Sequence, residues 1–144
     1  GDRNTGYYNS GLFNSGHCNT GYYNSGNYNT GYYNTGLFNL ASNSTGVFCT
    51  ETPKISTFNM PSDYTLDEFM ETEYYEALCS SPFCLTTWDE ESNKLIHNSY
   101  TDACRMWWAN MTPQNRAIIK SMPNFDIDIF CEITGIKKED VLGE

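Results

Sequence analysis

Asn4-Thr5-Gly6-Tyr7-Tyr8 is followed by Asn9-Ser10-Gly11-Leu12-Phe13, and the same five-residue frame runs without a slip to Ser44-Thr45-Gly46-Val47-Phe48. Glycine holds the third place of the unit from Gly6 to Gly46, with Ala41 filling the one gap. The fifth place reads Tyr8, Phe13, Cys18, Tyr23, Tyr28, Tyr33, Phe38, Asn43 and Phe48, aromatic in seven of nine units. The fourth place (Tyr7, Leu12, His17, Tyr22, Asn27, Tyr32, Leu37, Ser42, Val47) is more mixed, as a surface position is. A period of five fits neither a helix, at 3.6, nor a plain strand, at 2. It fits a solenoid in which each pentad forms one side of a coil and turns a corner. Glycine every fifth residue supplies a positive φ at the corner or room for a bulky neighbour. Asn tolerates the left-handed conformation and can hydrogen-bond the backbone of a turn, while Thr and Ser can link stacked rungs. The competing reading, an Asn/Gly/Tyr-rich disordered segment, is opposed by the unbroken register.

These units resemble the pentapeptide-repeat family, in its Asn-x-Gly branch. Over residues 4–48 the resemblance implies a right-handed, four-sided β-helix with the fifth residue and the glycine two before it pointing inward. Phe13, Cys18, Phe38, Phe48 and the fifth-place tyrosines would fill the core, with Gly11, Gly16, Gly36 and Gly46 as small inward partners. Column chemistry favours four sides too. At 20-residue spacing Arg3, Tyr23 and Asn43 collect the polar members, while Tyr8/Tyr28/Phe48, Phe13/Tyr33 and Cys18/Phe38 group the rest. That predicts about two and a half coils, on the order of 12 Å tall. The chain opens at Gly1 rather than Met, in the middle of a repeat, so a longer parent chain or a cloning remnant is expected, and an uncapped first coil could pair with another copy.

Composition changes abruptly at Cys49–Pro53. Residues 1–50 carry only Asp2 and Arg3, whereas the remaining 17 acids and 7 bases, and hence the whole formal charge of -10, lie in 51–144. Nine of 11 glycines precede the boundary, and all three tryptophans and five prolines follow it. Two domains are therefore expected, a β-helix over 1–50 and an acidic, mainly helical body over 51–144. The charge argues against a general nucleic-acid binder, which needs Lys and Arg for phosphates. No apolar run reaches the roughly 18–20 residues of a membrane helix, and no signal-peptide pattern opens the chain.

In the second half, Ser62-Asp63 or Thr65 can cap a helix running to Leu78, with Leu66, Phe69, Met70, Tyr74 and Leu78 on one face. Residues 83–98 read as irregular, with a short strand near Cys84–Trp88. Ser99 or Thr101 caps a helix over 102–110, Thr112-Pro113 opens another to Ser121, and Asn124 or Asp126 opens a last one from Ile127 to Thr134, stopped by Gly135. Trp88, Trp107, Trp108, Phe125 and Phe130 are the expected core, in a helical cap that covers the open end of the β-helix. The stretch from Trp107-Trp108 through Pro123-Asn124-Phe125-Asp126 to Glu132-Ile133-Thr134-Gly135-Ile136 is similar to the C-terminal tail of pentapeptide-repeat proteins of gut bacteria and their phages. That resemblance implies domain pairing and no activity.

Cys79, Cys84, His97 and Cys104 stand in an order that could hold zinc, but no tight second pair follows, and buried free thiols are the expectation. Without a secretion signal, reduced thiols in a cytoplasm are expected. His97, Ser99 and Asp102 are the residue types of a hydrolytic triad, without a nucleophile elbow or oxyanion loop. No catalytic residue, metal or cofactor is assigned.

Asp63, Asp67, Glu68, Glu71, Glu73, Glu76, Asp89, Glu90 and Glu91 fall between Ser56 and Asn93, a stretch with no Lys or Arg. They form either a solvated face or a surface that steers onto a basic partner protein. The expected function is a non-catalytic interaction scaffold docking through this acidic domain. One alternative is a phage-type inhibitor of a nucleic-acid-processing enzyme. The family resemblance includes members that act on gyrase through a DNA-like β-helix, but here the repeat is neutral, so DNA mimicry would have to reside in 63–91. A second alternative is a phage structural or adhesive solenoid.

Overall fold

The computed structural model describes residues 3–143, which fall into two compact units divided between Lys54 and Ile55. The first is a β-solenoid of three-residue strands: β1 (Ser10–Leu12), β2 (Ser15–His17), β3 (Thr20–Tyr22), β4 (Ser25–Asn27), β5 (Thr30–Tyr32), β6 (Thr35–Leu37) and β7 (Thr45–Val47). Alternate strands pair in parallel. One sheet is β1-β3-β5 and the other β2-β4-β6-β7, with Thr5 bridging Ser15 below them.

The register sets the coil length. Ser10 faces Thr20 and Thr30, and Ser15 faces Ser25, Thr35 and Thr45, so successive rungs are ten residues apart. The four-sided coil of twenty residues expected from column chemistry is thereby corrected to a flattened, two-sided coil of two pentads. Residues 4–48 make between four and five such coils rather than two and a half.

Halving the coil inverts the core. Asn14, Asn19, Asn24, Asn29, Asn34 and Asn39 are each no more than 1% exposed, while the fifth-place aromatics lie outside. Two sheets so close together leave no room for rings, and a short amide fits. Each Asn Nδ2 donates to the carbonyl seven residues on, from Asn4 to Gly11 O at 2.9 Å through Asn39 to Gly46 O at 3.0 Å. Each Oδ1 accepts the backbone N–H ten residues on, as Asn24 does from Asn34 at 3.1 Å. A buried polar group is tolerable when it is hydrogen-bonded, and these amides satisfy one another and the corner backbone.

The inward glycines agree with expectation and have a stringent reason. Gly6 to Gly36 hold φ between 103° and 129°, and a Cβ on any of them would come within 1.9–2.3 Å of a carbonyl oxygen one coil on. The left-handed corner belongs to the fifth place instead. Every residue there from Arg3 to Phe48 has φ between 56° and 62°. That conformation costs an L-residue roughly 1–2 kcal/mol, and it turns the side chain outward, where stacking on the next coil offsets the cost.

In the second unit, β8 (Lys54–Thr57) and β9 (Met60–Thr65) form a hairpin through Phe58 and Asn59, both at positive φ. The single helix expected to run to Leu78 is two, α1 (Leu66–Met70) and α2 (Glu73–Leu78), because Thr72 caps a new start. Thr65 and Glu68 form a reciprocal capping box at the head of α1. The region read as irregular contains the antiparallel hairpin β10 (Thr86–Asp89) and β11 (Lys94–His97). Next come α3 (Tyr100–Ala109) capped by Ser99, α4 (Pro113–Lys120) capped by Thr112, α5 (Ile127–Thr134) capped by Asp126 and closed by Gly135 at φ 70°, and an unexpected α6 (Lys138–Leu142).

The core of this unit joins Ala77, Cys104, Trp107, Trp108, Met111, Ile119, Phe130, Ile136 and Val141, with Phe125 packed against it. Trp88 does not join it. It is 58% exposed on β10, opposite Leu95. The resemblance motif Pro123-Asn124-Phe125 is a clasp. Asn124, at φ 64°, donates to Thr57 Oγ1 at 3.1 Å and Pro61 O at 3.0 Å, Thr57 Oγ1 donates to Pro123 O at 3.0 Å, and Phe125 meets Phe58 edge-on. Among the described residues no helix is long and apolar enough to cross a membrane.

Candidate functional site

Two surfaces carry chemistry that the fold does not use up. The first lies on the solenoid. Because equivalent residues recur every ten positions, their rings fall into columns along the coil axis. Phe13, Tyr23 and Tyr33 stack at 4.7 and 5.0 Å between centroids, within 5° of coplanar. Tyr28, Phe38 and Phe48 stack at 4.6 and 4.9 Å on the opposite corner. On the sheet faces, Tyr22 stacks on Tyr32 at 5.4 Å and Tyr7 on His17 at 5.4 Å. Offset stacking adds about 0.5–1.5 kcal/mol per pair beyond area burial. Arg3 closes the first column, its guanidinium 5.2 Å from the Phe13 centroid. The result is a neutral, ribbed aromatic surface with outward Ser and Thr between the ribs.

The second surface is acidic, and the structure disperses it. Asp63 is on β9, Asp67 and Glu68 are in the first turn of α1, Glu71 is its C-cap, and Glu73 and Glu76 are in the first turn of α2. Asp89 ends β10, and Glu90 and Glu91 form the hairpin tip. Two of the nine have structural duties. Glu68 completes the capping box, and Asp89 accepts from Ser92 Oγ at 2.5 Å, Ser92 N at 3.2 Å and Glu91 N at 3.4 Å. Those bonds, led by the Ser92 hydroxyl, hold the Asp89 carboxyl below the usual carboxylate range. Carboxylates in the first turn of α1 and α2 also favour the helix dipole. All nine but Asp89 are exposed, and none takes part in an ion pair among the described residues.

The cysteine set separates. Cys104 is buried in the core, Cys79 is exposed at the end of α2, Cys84 is half-buried and His97 exposed, and no group of three or more metal-ligating residues forms among the described residues. Burial pushes the Cys104 thiol up, which makes it inert packing. Cys18, expected inside, is an exposed corner residue. Ser99 spends its hydroxyl accepting the Asp102 N–H at 3.1 Å, and Asp102 pairs with Arg105 at 3.4 Å. His97, Ser99 and Asp102 thus serve separate local roles.

The ten-residue register and the repeated Asn-Thr/Ser-Gly frame together describe a repeat architecture that comparison recognises. Residues 1–36 match the family model described as pentapeptide repeats (8 copies). Residues 1–36 are thus similar to a run of pentapeptide repeats. No curated protein and no solved structure matches the chain. The outward aromatic columns of the solenoid were not assigned to the surface by sequence reasoning. The signal was present in the fifth place, where Arg3, Cys18 and Asn43 share columns with rings.

Proposed function

We propose that the protein is a non-catalytic interaction scaffold whose second unit docks a basic partner protein through its acidic surface. The observation that carries this reading is that, among the described residues, none of the nine carboxylates from Asp63 to Glu91 forms an ion pair, even Asp89 with its cross-strand neighbour Lys94. A face needed only for folding would gain from intramolecular pairing. An unpaired one retains its field for a partner and accelerates encounter, most strongly at low salt. Asp67, Glu71, Glu73 and Glu76 are the residues to test, because Glu68 and Asp89 also hold local structure. Capture of partners from a native host extract at low and high salt, with wild type and a variant carrying Lys at those four positions, is the experiment. Salt-sensitive capture lost in the variant supports the reading, and unchanged capture refutes it. If the captured protein is a nuclease or topoisomerase, the narrower function is inhibition by DNA mimicry, as in a phage anti-defence protein.

A second reading is favoured by the aromatic columns. A solenoid that exposes Tyr23, Tyr33, Phe38 and Phe48 offers a ribbed contact surface of its own, as a structural or adhesive element would. Capture insensitive to both salt and the acidic substitutions, but lost on replacing Phe38 and Phe48 with Ser, would select it.

A further inference from the structure

We propose that two tyrosine pairs of the solenoid, Tyr22–Tyr32 and Tyr23–Tyr33, are sites of oxidative cross-linking, at which a peroxide-driven one-electron oxidant joins successive coils covalently as dityrosine. Four features of the coil bring this about. Tyr22 and Tyr32 are register partners with centroids 5.4 Å apart and planes within 1°, and Tyr23 and Tyr33 lie 5.0 Å apart within 3°. The Asn ladder and the close glycine contacts fix that register, so the phenols cannot drift apart while the coil is folded. All four rings are between 41% and 58% exposed, within reach of a surface oxidant and free to tilt. The remaining tyrosine columns of the unit lack a phenol partner, since Tyr28 lies on Phe38 and Tyr7 on His17.

The chemistry balances with one peroxide per bridge. Each phenol gives up one electron and its hydroxyl proton to become a phenoxyl radical. The two radicals join through one ortho carbon each to give a paired dienone, and the proton on each of those carbons then moves to its ring's carbonyl oxygen, restoring both phenols and their aromaticity. Two tyrosines and hydrogen peroxide give one dityrosine and two waters. At low protein concentration each phenoxyl radical meets its stacked neighbour, held at 5.4 or 5.0 Å, before it meets another chain, which favours the intramolecular product. The bridges would tie the coil holding β3 to the coil holding β5, turning a stack held by hydrogen bonds into a covalent ladder.

The test treats the full chain with hydrogen peroxide and a haem peroxidase, then measures dityrosine fluorescence, intact mass and cross-linked peptides. The expected product is monomeric, has lost two hydrogens per bridge, and links 22 to 32 and 23 to 33. Y32F should remove the first link alone and Y33F the second alone, since Phe preserves the stack, and the double variant should lose most of the fluorescence. In denaturant the two links should lose their predominance over other tyrosine pairs. Dominant links between molecules, no dityrosine, retention of fluorescence by the double variant, or the same two links in denaturant would each overturn the proposal.

Discussion

Replacing Asn24 with Ala tests whether the core of the solenoid is an amide ladder. The side chain is 1% exposed, its Nδ2 donates to Gly31 O at 2.9 Å and Asn14 Oδ1 at 3.1 Å, and its Oδ1 accepts the Asn34 N–H at 3.1 Å. Truncation orphans the Gly31 carbonyl bond and the Asn34 N–H in a site closed to water. At about 1–3 kcal/mol for each unsatisfied buried group, the expected loss is about 4 kcal/mol, most of what so small a unit has to spare. Tyr23 is the counterpart. It is 46% exposed and stacks on Phe13 and Tyr33, so Tyr23→Ala should cost only about 1–2 kcal/mol, at the low end of two stacking terms. An inward aromatic would give the opposite order, since truncating a buried ring costs about 3–5 kcal/mol. The two units need not melt together, so native-state amide exchange on the coils is the readout. Asn24→Asp sharpens it. A buried carboxylate cannot donate to Gly31 O, whereas its protonated form can, so the folded-state pKa is raised and the variant should regain protection as pH falls. If Tyr23→Ala were the more damaging change, or Asn24→Asp insensitive to pH, the amide-ladder core would be refuted.

Gly21→Ala should unfold the surrounding coils, because φ is 119° and the new Cβ would stand 2.0 Å from Gly31 O. Gly46→Ala, without a positive φ and facing only the movable Cys49 Sγ, should retain most amide protection. Asn124→Ala should cost the second unit about 1–3 kcal/mol in thermal denaturation, from two lost hydrogen bonds at about 0.5–1.5 kcal/mol each with the left-handed backbone kept. A change below a few tenths would mean that the Thr57–Pro61 clasp is incidental. Asp89 has its folded-state carboxyl pKa depressed, so its contribution to the β10–β11 turn is complete above the unfolded-state pKa and lost as pH falls through the folded one. Amides of Glu91 and Ser92 should lose protection on acidification, and Ser92→Ala should shift that loss to higher pH. Trp107→Phe should destabilise more than Trp108→Phe, since Trp107 Nε1 donates to Leu78 O at 2.9 Å while the buried Trp108 Nε1 has no hydrogen-bond partner; equal losses of thermal stability would refute the comparison.

The features legible in the sequence are those set by neighbours a few residues apart. Ser99, Thr112-Pro113, Asp126 and Gly135 mark helix ends because capping and the left-handed stop are local geometry. The division between Lys54 and Ile55 separates a neutral Gly-rich coil from an acidic Trp-rich body, and the two bury different groups. The hairpins were hidden. Phe58-Asn59 is an unusual pair for a two-residue turn with both φ positive, and Trp88 reads as a core residue although it is exposed on β10. The continuous helix to Leu78 failed at Thr72, whose hydroxyl accepts the Tyr75 N–H and so begins a second helix inside an apolar periodicity that spans both.

The coil length is the more instructive error, because a five-residue period is compatible with ten residues per turn as well as twenty. Grouping the fifth place at twenty gathers Arg3, Tyr23 and Asn43 and makes the columns look sorted into polar and apolar. Grouping at ten gives Arg3, Phe13, Tyr23, Tyr33 and Asn43 in one corner, and Tyr8, Cys18, Tyr28, Phe38 and Phe48 in the other. A buried column cannot contain an arginine, but an outward one can stack it on Phe13, as the guanidinium does. The first place, by contrast, is Asn in eight consecutive units before Ser44. Uniformity there has a physical cause. Each amide must both donate to a corner carbonyl and accept from the next coil, so a substitution breaks bonds on two levels. A ring on the surface needs only a neighbour of similar shape, and Tyr, Phe and His all serve. In a solenoid this thin, the position that tolerates least variety is the interior, even when it is polar, and the bulky position is the exterior, even when it is aromatic.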